Sequence, residues 1–238
     1  MLEDELIKNG HINFESPLMV IVNTLLWRFA YIIVVFLLPK KSPEYWSRVI
    51  TFVHGLVAAF VGINQCFVTD SPFEHPEWRT NYVQSILLSF SAGYFLHDLI
   101  WMIQYDHDKL MMAHHIYSAI ALMRMLFKGY SGAQATCSLG SMEITNPFLQ
   151  MRWFIRAEGM YPSILFTSVE TTFVIVFVTV RILLGSFILK TIIMQPKNDW
   201  DFIIMSIVIY ILSWLFLINI FKYLLVKYKF VKDDNKNY

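Results

Sequence analysis

Seven long apolar runs, separated by short polar segments, make up most of the 238-residue chain. The runs are Leu18–Leu38, Ser47–Val68, Tyr82–Gln104, Leu110–Phe127, Gly132–Ile155, Pro162–Ile193 and Trp200–Val226. Each is long enough to meet the ~17–25 residues that a helix needs to cross the hydrocarbon core of a bilayer. The pattern therefore predicts an all-α fold, a polytopic membrane bundle of about seven transmembrane helices.

The fifth run is the least apolar of the seven, and the sixth is the longest. The polar residues of the fifth run include Gln134, Glu143, Asn146, Gln150 and Arg152. The sixth run is longer than one straight crossing requires, so we expect it to be tilted or to protrude from the bilayer. No repeat and no segment typical of a soluble second domain accompanies these runs.

Composition supports a membrane protein: 56% of the residues are apolar, against about 45–50% in a soluble domain. The net charge is +1, and no basic patch with interleaved aromatic residues indicates nucleic-acid binding. The two cysteines, Cys66 and Cys137, both fall in apolar runs. A disulfide between them is possible, but we expect buried free thiols.

The distribution of lysine and arginine predicts the orientation of the chain. With seven crossings, the side that holds the C-terminus carries more than twice as many of these residues as the side that holds the N-terminus. The positive-inside rule then places the polar tail at residues 229–238 in the cytosol and the polar tail at residues 1–17 outside or in a lumen. The protein is expected in the endoplasmic reticulum or plasma membrane.

Titratable side chains at membrane depth are costly and usually functional. At about 1.5 Å per residue, His97 and Asp98 of the third run lie near the same depth as His114 and His115 of the fourth. In the fifth run, Asn146 and Gln150 fall in the same half of the membrane, with Glu143 closer to the midplane. These side chains predict a polar layer within the bundle.

An aspartate beside a histidine can fix the imidazole tautomer and raise its basicity, which suits a general base or a nucleophile. The candidate catalytic residues are His114, His115, Asp98 and Glu143, and the candidate lipid-binding residues are His97, Asn146, Gln150 and Arg152. Adjacent histidines point about 100° apart on a helix, so one of the pair can instead serve to bond a neighbouring helix.

The remaining charged groups keep alternative roles. Glu143 is either an ionised partner of a histidine or arginine, or a protonated packing residue. Arg181 is expected to be paired. A metal site is not expected, because His114 and His115 are followed four residues later by Ser118 and Ala119 rather than by a second ligand.

Three segments, YFLHDLIWM, MMAHHIYSAIAL and GSMEITNPFLQMRWFIR, occur in this order. Together they resemble the TLC-domain family, which includes the ceramide synthases, and most of all its small members. The resemblance covers roughly residues 45–228 and leaves residues 18–44 as a first transmembrane helix and loop. It implies six helices around a lipid cavity, with that first helix outside them.

In the synthase relatives, a histidine of the intramembrane pair accepts an acyl chain from acyl-CoA and passes it to a sphingoid amine. Carried onto this chain, that role falls on His114 or His115. The synthases follow the pair with a helix that reads H-D-x-x-D, whereas the corresponding segment here reads SLGSMEITNP, with Glu143 as its only carboxylate.

Two functions remain open on these grounds. The first is His-dependent acyl transfer within a lipid cavity, with acyl-CoA as a co-substrate and no bound cofactor. The second is a non-enzymatic lipid-binding protein that regulates membrane phospholipid composition or trafficking. In both cases the expected partner is a membrane lipid, nucleic acid is not expected, and a homodimer is possible.

Overall fold

The computed structural model of the chain describes residues 15–68 and 71–234. Of the two predicted polar tails, residues 1–14 and 235–238 lie outside this part. The helices are α1 (Glu15–Leu37), α2 (Pro43–Val68), α3 (Tyr82–Tyr105), α4 (Lys109–Lys128), α5 (Gly132–Glu143), α6 (Thr145–Ala157), α7 (Ile164–Phe177), α8 (Gly185–Met194) and α9 (Trp200–Asp234), and a π-helical segment, Val178–Leu184, joins α7 to α8.

The prediction of an all-α polytopic membrane bundle is confirmed. Within the described residues, six continuous helical stretches are long and apolar enough to cross a bilayer. They are Pro17–Leu37, Pro43–Phe67, Tyr82–Tyr105, Lys109–Lys128, Ile164–Met194 and Trp200–Lys227. The sixth predicted run is one such stretch, and the π-helical segment lies in its middle.

The fifth predicted run forms two shorter helices, α5 and α6, which are separated at Ile144. Pro147 accounts for the break, because a proline has no N–H to donate to the carbonyl four residues earlier and its ring collides with that carbonyl. Together the two helices still lie along the whole of α2. Cys137 is joined to Cys66 at one end, and the rings of Phe154 and Tyr45 are 5.1 Å apart at the other.

Two glycines let α2 and α5 approach closely. A Cβ atom added to Gly62 would lie 2.5 Å from the Cα atom of Gly140 and 2.6 Å from the carbonyl oxygen of Thr136. Small residues at such positions are the usual means by which membrane helices bring their backbones together. The axis of the broken helix is therefore fixed against α2 about one turn from the end that carries Cys66 and Cys137.

Cys66 and Cys137 form a disulfide, with their Cα atoms 4.9 Å apart. The expectation of buried free thiols is therefore wrong. The close approach at Gly62 and Gly140, about one turn away, brings the two cysteines within the Cα separation of about 4.4–6.8 Å that a disulfide requires. We call this end of the bundle the disulfide end, and the opposite end, which carries the turn at residues 38–42, the α1–α2 end.

The loop between α2 and α3 packs across the disulfide end. The carbonyl oxygen of Phe73 accepts a hydrogen bond from Gln134 Nε2 at 3.1 Å, and the Phe73 ring packs against the main apolar core. Glu77 accepts a hydrogen bond from Lys197 Nζ at 2.8 Å, and this contact lowers the pKa of the Glu77 carboxyl to about 2. The loop is thus tied to both α5 and the segment before α9.

Replacing Gly62 with alanine should destabilise the bundle, because the added methyl group must push α5 away from α2. We expect a loss of about 1–3 kcal/mol, the usual cost of overpacking, with a lower melting temperature in detergent and a smaller fraction of disulfide-bonded protein on non-reducing gels. Gly185→Ala is the matched control, since its added Cβ would meet nothing closer than Met142 Cε at 3.4 Å. Equal melting temperatures for both variants would contradict the packing described here.

Candidate functional site

Two cavities lie end to end inside the bundle. The polar cavity, of about 400 Å³, extends toward the α1–α2 end, where Glu44, Asp106 and Asp108 line it. The apolar cavity, of about 140 Å³, extends toward the disulfide end. Four residues line both, namely Phe95, His114, Glu143 and Arg181. We call the layer that they form the junction.

His115 and Asp98 face each other across the α3–α4 hairpin. Asp108 caps α4 by accepting hydrogen bonds from the N–H groups of Leu110 and Met111, so α4 begins directly after the short loop and the two residues reach the same height. His115 Nδ1 lies 3.1 Å from Asp98 Oδ2, which is ion-pair distance without hydrogen-bond geometry, and the other carboxylate oxygen accepts a hydrogen bond from Ser47 Oγ at 3.3 Å. The predicted pairing of a histidine with Asp98 therefore falls on His115.

His114 points in a different direction from its neighbour. Its ring centroid is 5.5 Å from that of His115, and it lines both cavities, whereas His115 lines only the polar one. Its Nδ1 atom is buried and has no hydrogen-bond partner among the described residues. The two histidines thus offer two different surfaces to a ligand, as their angular separation on the helix requires.

Glu143 begins a row of hydrogen-bonded polar side chains along α6. Its Oε2 atom accepts a hydrogen bond from Asn146 Nδ2 at 3.1 Å. The Asn146 oxygen accepts one from Gln150 Nε2 at 3.0 Å, and the Gln150 oxygen accepts one from Arg48 at 3.3 Å. His54, fully buried, places Nδ1 3.8 Å from the same Glu143 oxygen. The row gives the polar cavity one fixed wall.

The other two predicted lipid-binding residues have different environments. His97 is fully buried and lines neither cavity; its ring lies 5.7 Å from that of Tyr31. Arg152 lines the polar cavity, where its guanidinium lies 3.6 Å from Glu170 and 5.0 Å from the centre of the Tyr223 ring. Of the eight predicted site residues, the structure thus leaves His97 outside the cavity walls.

Arg181 is a residue of the junction that was expected only to be paired. It is 7% exposed and lies within the π-helical segment. Its Nε atom donates a hydrogen bond to Thr145 Oγ1 at 3.3 Å, but no carboxylate among the described residues lies within 4 Å of it. The sequence does indicate that Arg181 has no ion-pair partner on its own helix. The positions three and four residues away are Phe177, Val178, Leu184 and Gly185, none of which is acidic.

Three helical stripes wall the apolar cavity. α4 contributes a stripe from His114 through Ser118 to Met125, the π segment and α8 contribute one from Arg181 to Ile192, and α9 contributes one from Phe202 to Ser213. Each stripe spans eleven residue steps, which at 1.5 Å per step is about 16 Å. The cavity is thus a narrow slot that begins at the junction and ends near the disulfide end.

The chemistry available here is acid–base and electrostatic. An imidazole beside a carboxylate can take up or donate a proton, and a buried guanidinium can bind an anionic oxygen. Within residues 15–68 and 71–234, no three histidine, cysteine or acidic side chains converge as ligands of a metal ion.

Comparison with known proteins gives a consistent picture. A family model described as the TLC domain matches residues 44–226. TLC domain-containing protein 4 of Homo sapiens is 28% identical over 121 residues, which is 50% of this chain and 46% of that protein. TLC domain-containing protein 4-B of Danio rerio is 26% identical over 129 residues, 52% of this chain and 47% of the other. The chain spans about half the length of the curated relatives that it matches.

Thiol labelling should distinguish the two cavities. Thr51, in the wall of the polar cavity, and Ser118, in the wall of the apolar one, can each be replaced by cysteine. A thiol in apolar surroundings has a raised pKa and little thiolate, so we expect Thr51→Cys to react roughly tenfold faster than Ser118→Cys with a charged methanethiosulfonate.

The native cysteines do not interfere, since they form a disulfide. Unfolding in detergent should make the two rates equal, which serves as the control for intrinsic reactivity. Equal rates in the folded protein would contradict the division into a polar and an apolar cavity.

Proposed function

The chain belongs to the TLC domain family, and from this premise we propose that it is a lipid-metabolic membrane protein that holds an acyl lipid inside the bundle and transfers its acyl group with the help of His115. The observation that carries the proposal is the meeting of a polar and an apolar cavity at the junction, next to the pair formed by His115 and Asp98.

The two cavities together fit an amphiphile. The acyl chain occupies the apolar cavity, and the polar part of the lipid faces the row from Glu143 to Gln150. Ligand sites in proteins are usually mostly apolar with a few convergent polar groups, and intramembrane ionisable residues usually mark such sites.

His115 acts as the base in this proposal. Asp98 beside Nδ1 stabilises the imidazolium form and orients the ring, and Nε2 is left to face the reacting atoms. Nε2 removes the proton from the N–H or O–H group of an acceptor as that atom attacks the acyl carbonyl carbon of acyl-CoA. The new amide or ester bond forms, the carbon–sulfur bond breaks, and the proton passes to the departing thiolate to give CoA as the thiol.

A second function, lipid binding without chemistry, is favoured by one specific observation. Glu143 is the carboxylate that α5 and α6 present to the cavities, and it already accepts a hydrogen bond from Asn146. Because it is engaged in the polar row, it suits recognition of a polar group better than transfer of a proton. The wall opposite the histidines would then recognise a polar headgroup, and the protein would regulate phospholipid composition or trafficking by sequestering a lipid.

The orientation proposed for the protein places the disulfide end in a lumen or outside the cell. Disulfides form in oxidising compartments, and the excess of lysine and arginine lies at the α1–α2 end, which suits the cytosol. The membrane is that of the endoplasmic reticulum or the cell surface, and the polar cavity then opens toward cytosolic acyl-CoA.

An engineered glycosylation tag tests this orientation. The chain contains no Asn-x-Ser/Thr sequon, so a tag that carries one reports only its own position. A tag fused to the N-terminus should be glycosylated and the same tag fused to the C-terminus should not. The reverse result would overturn the orientation. In either case, removal of the glycan by an endoglycosidase that cleaves asparagine-linked glycans verifies that the tag is glycosylated.

Rescue of cells that lack the protein tests the proposed chemistry. Lipidomics should show a shifted lipid class that the wild type restores and that His115→Ala and Asp98→Asn do not. Loss of a general base reduces a rate by roughly 10²–10⁴-fold, which is enough to abolish rescue at matched expression. His107→Ala is the matched control, because this exposed histidine lies outside both cavity walls.

A further variant separates the two functions. Gly185→Leu fills the apolar cavity and should prevent rescue whether the protein transfers an acyl group or only binds a lipid. If Gly185→Leu fails while His115→Ala rescues fully, the binding function is supported and the acyl transfer is refuted.

A further inference from the structure

The guanidinium of Arg181 is a buried cation without a counter-charge in contact. It lies at the junction with Glu143, which acts on it electrostatically but is not within ion-pair distance; the Oε2 atom of Glu143 lies 3.8 Å from His54 Nδ1 instead. Thr145 accepts only the Nε–H of Arg181. A charged side chain at membrane depth normally has a partner or serves a ligand, so the arrangement suits an anionic group supplied from outside the protein.

The backbone around Arg181 is unusual in the same place. Val178–Leu184 is π-helical, whereas the helices on both sides of it are ordinary α-helices. Such π-helical turns within α-helices are often found at functional sites. The wide turn contacts the break between α5 and α6 through Thr145, so two irregular segments of backbone meet at one point and hold the arginine there.

The dimensions of the apolar cavity indicate what the anionic group is attached to. The slot begins at Arg181 and continues past Gly185 and Ile188 to Ile192 on the same helical face. Its length of about 16 Å matches half of the ~30 Å hydrocarbon core, which is the depth that one chain of a membrane lipid fills. With about 140 Å³, the slot is narrow and takes part of the length of a single chain.

We propose that Arg181 binds the carboxylate of a free long-chain fatty acid whose chain enters the apolar cavity. This inference rests on the proposed lipid-holding function and adds to it the class of ligand and the residue that recognises it. The guanidinium lies where the slot meets the polar cavity, so a small anionic group joined directly to the chain reaches it while the chain stays in the slot. A carboxylate meets this requirement and matches the planar fork of an arginine in two hydrogen bonds.

Binding of tritiated palmitate to the purified full-length protein in nanodiscs tests the proposal at alkaline pH, where the acid is ionised. Unlabelled palmitate and hexadecanol serve as competitors, since they share the chain and differ only in the head. We expect palmitate to compete roughly tenfold to a hundredfold more strongly, as for a charge-assisted pair of hydrogen bonds. Equal competition by the two compounds in the wild type would overturn the proposal without any variant.

Variants then assign the preference to Arg181. Arg181→Gln should bind palmitate and hexadecanol alike, and Arg181→Lys should keep part of the preference because it retains the charge but not the fork. Arg124→Gln is the matched control, since Arg124 pairs with Asp201 at 2.6 Å and lines neither cavity. A full preference in Arg181→Gln would overturn the assignment; if that variant does not fold, the wild type and Arg181→Lys decide.

Failure of this inference is distinguishable from failure of the proposed function. If palmitate and hexadecanol bind equally and Gly185→Leu abolishes both, the lipid cavity is real and only the role of Arg181 is refuted. If the wild type binds neither compound, the lipid-holding function and this inference fail together.

Discussion

The backbone contact between α2 and α5 at Gly62 and Gly140 is the constraint on which the rest of the site depends. Because neither residue has a side chain, the two helices approach until an added Cβ would lie 2.5 Å from the opposing backbone. This approach permits the disulfide on one side and, on the other, lays α6 along α2 so that its polar row can reach Arg48. A bulkier residue at either glycine would shift the wall that carries Glu143.

Among the described residues, two departures from regular α-helix occur at membrane depth, and they contact each other. One is the break at Ile144, and the other is the π-helical segment that carries Arg181; Thr145 joins them. Irregular backbone is tolerated within a bilayer only where it is buried in protein or lines a cavity. Their location at the junction meets that condition, and it brings the polar backbone and the charged side chains into one layer.

This layer separates the interior into a polar part and an apolar part, and the separation is what makes an amphiphilic ligand fit. The α3–α4 hairpin delivers His115 and Asp98 to the polar part, while the stripes of α4, α8 and α9 enclose the apolar part. A reacting carbonyl or a carboxylate placed at the junction would lie between the imidazole base and the Arg181 guanidinium.

The spacing of apolar residues alone determined which segments are helical and the depth of the polar layer, because the thickness of the bilayer and the rise per residue fix both. It did not determine the break at Ile144 or the π-helical segment at Val178–Leu184. The shared depth of Asp98, His115 and Asn146 followed in this way. Rotation about each helix axis and the distances between helices depend on tertiary packing, so the sequence could not predict that His97 packs against Tyr31 while Asp98 meets His115. For the same reason it predicted free thiols where a disulfide forms, and it could not identify Thr145 and Glu143 as the residues that Arg181 meets at the junction.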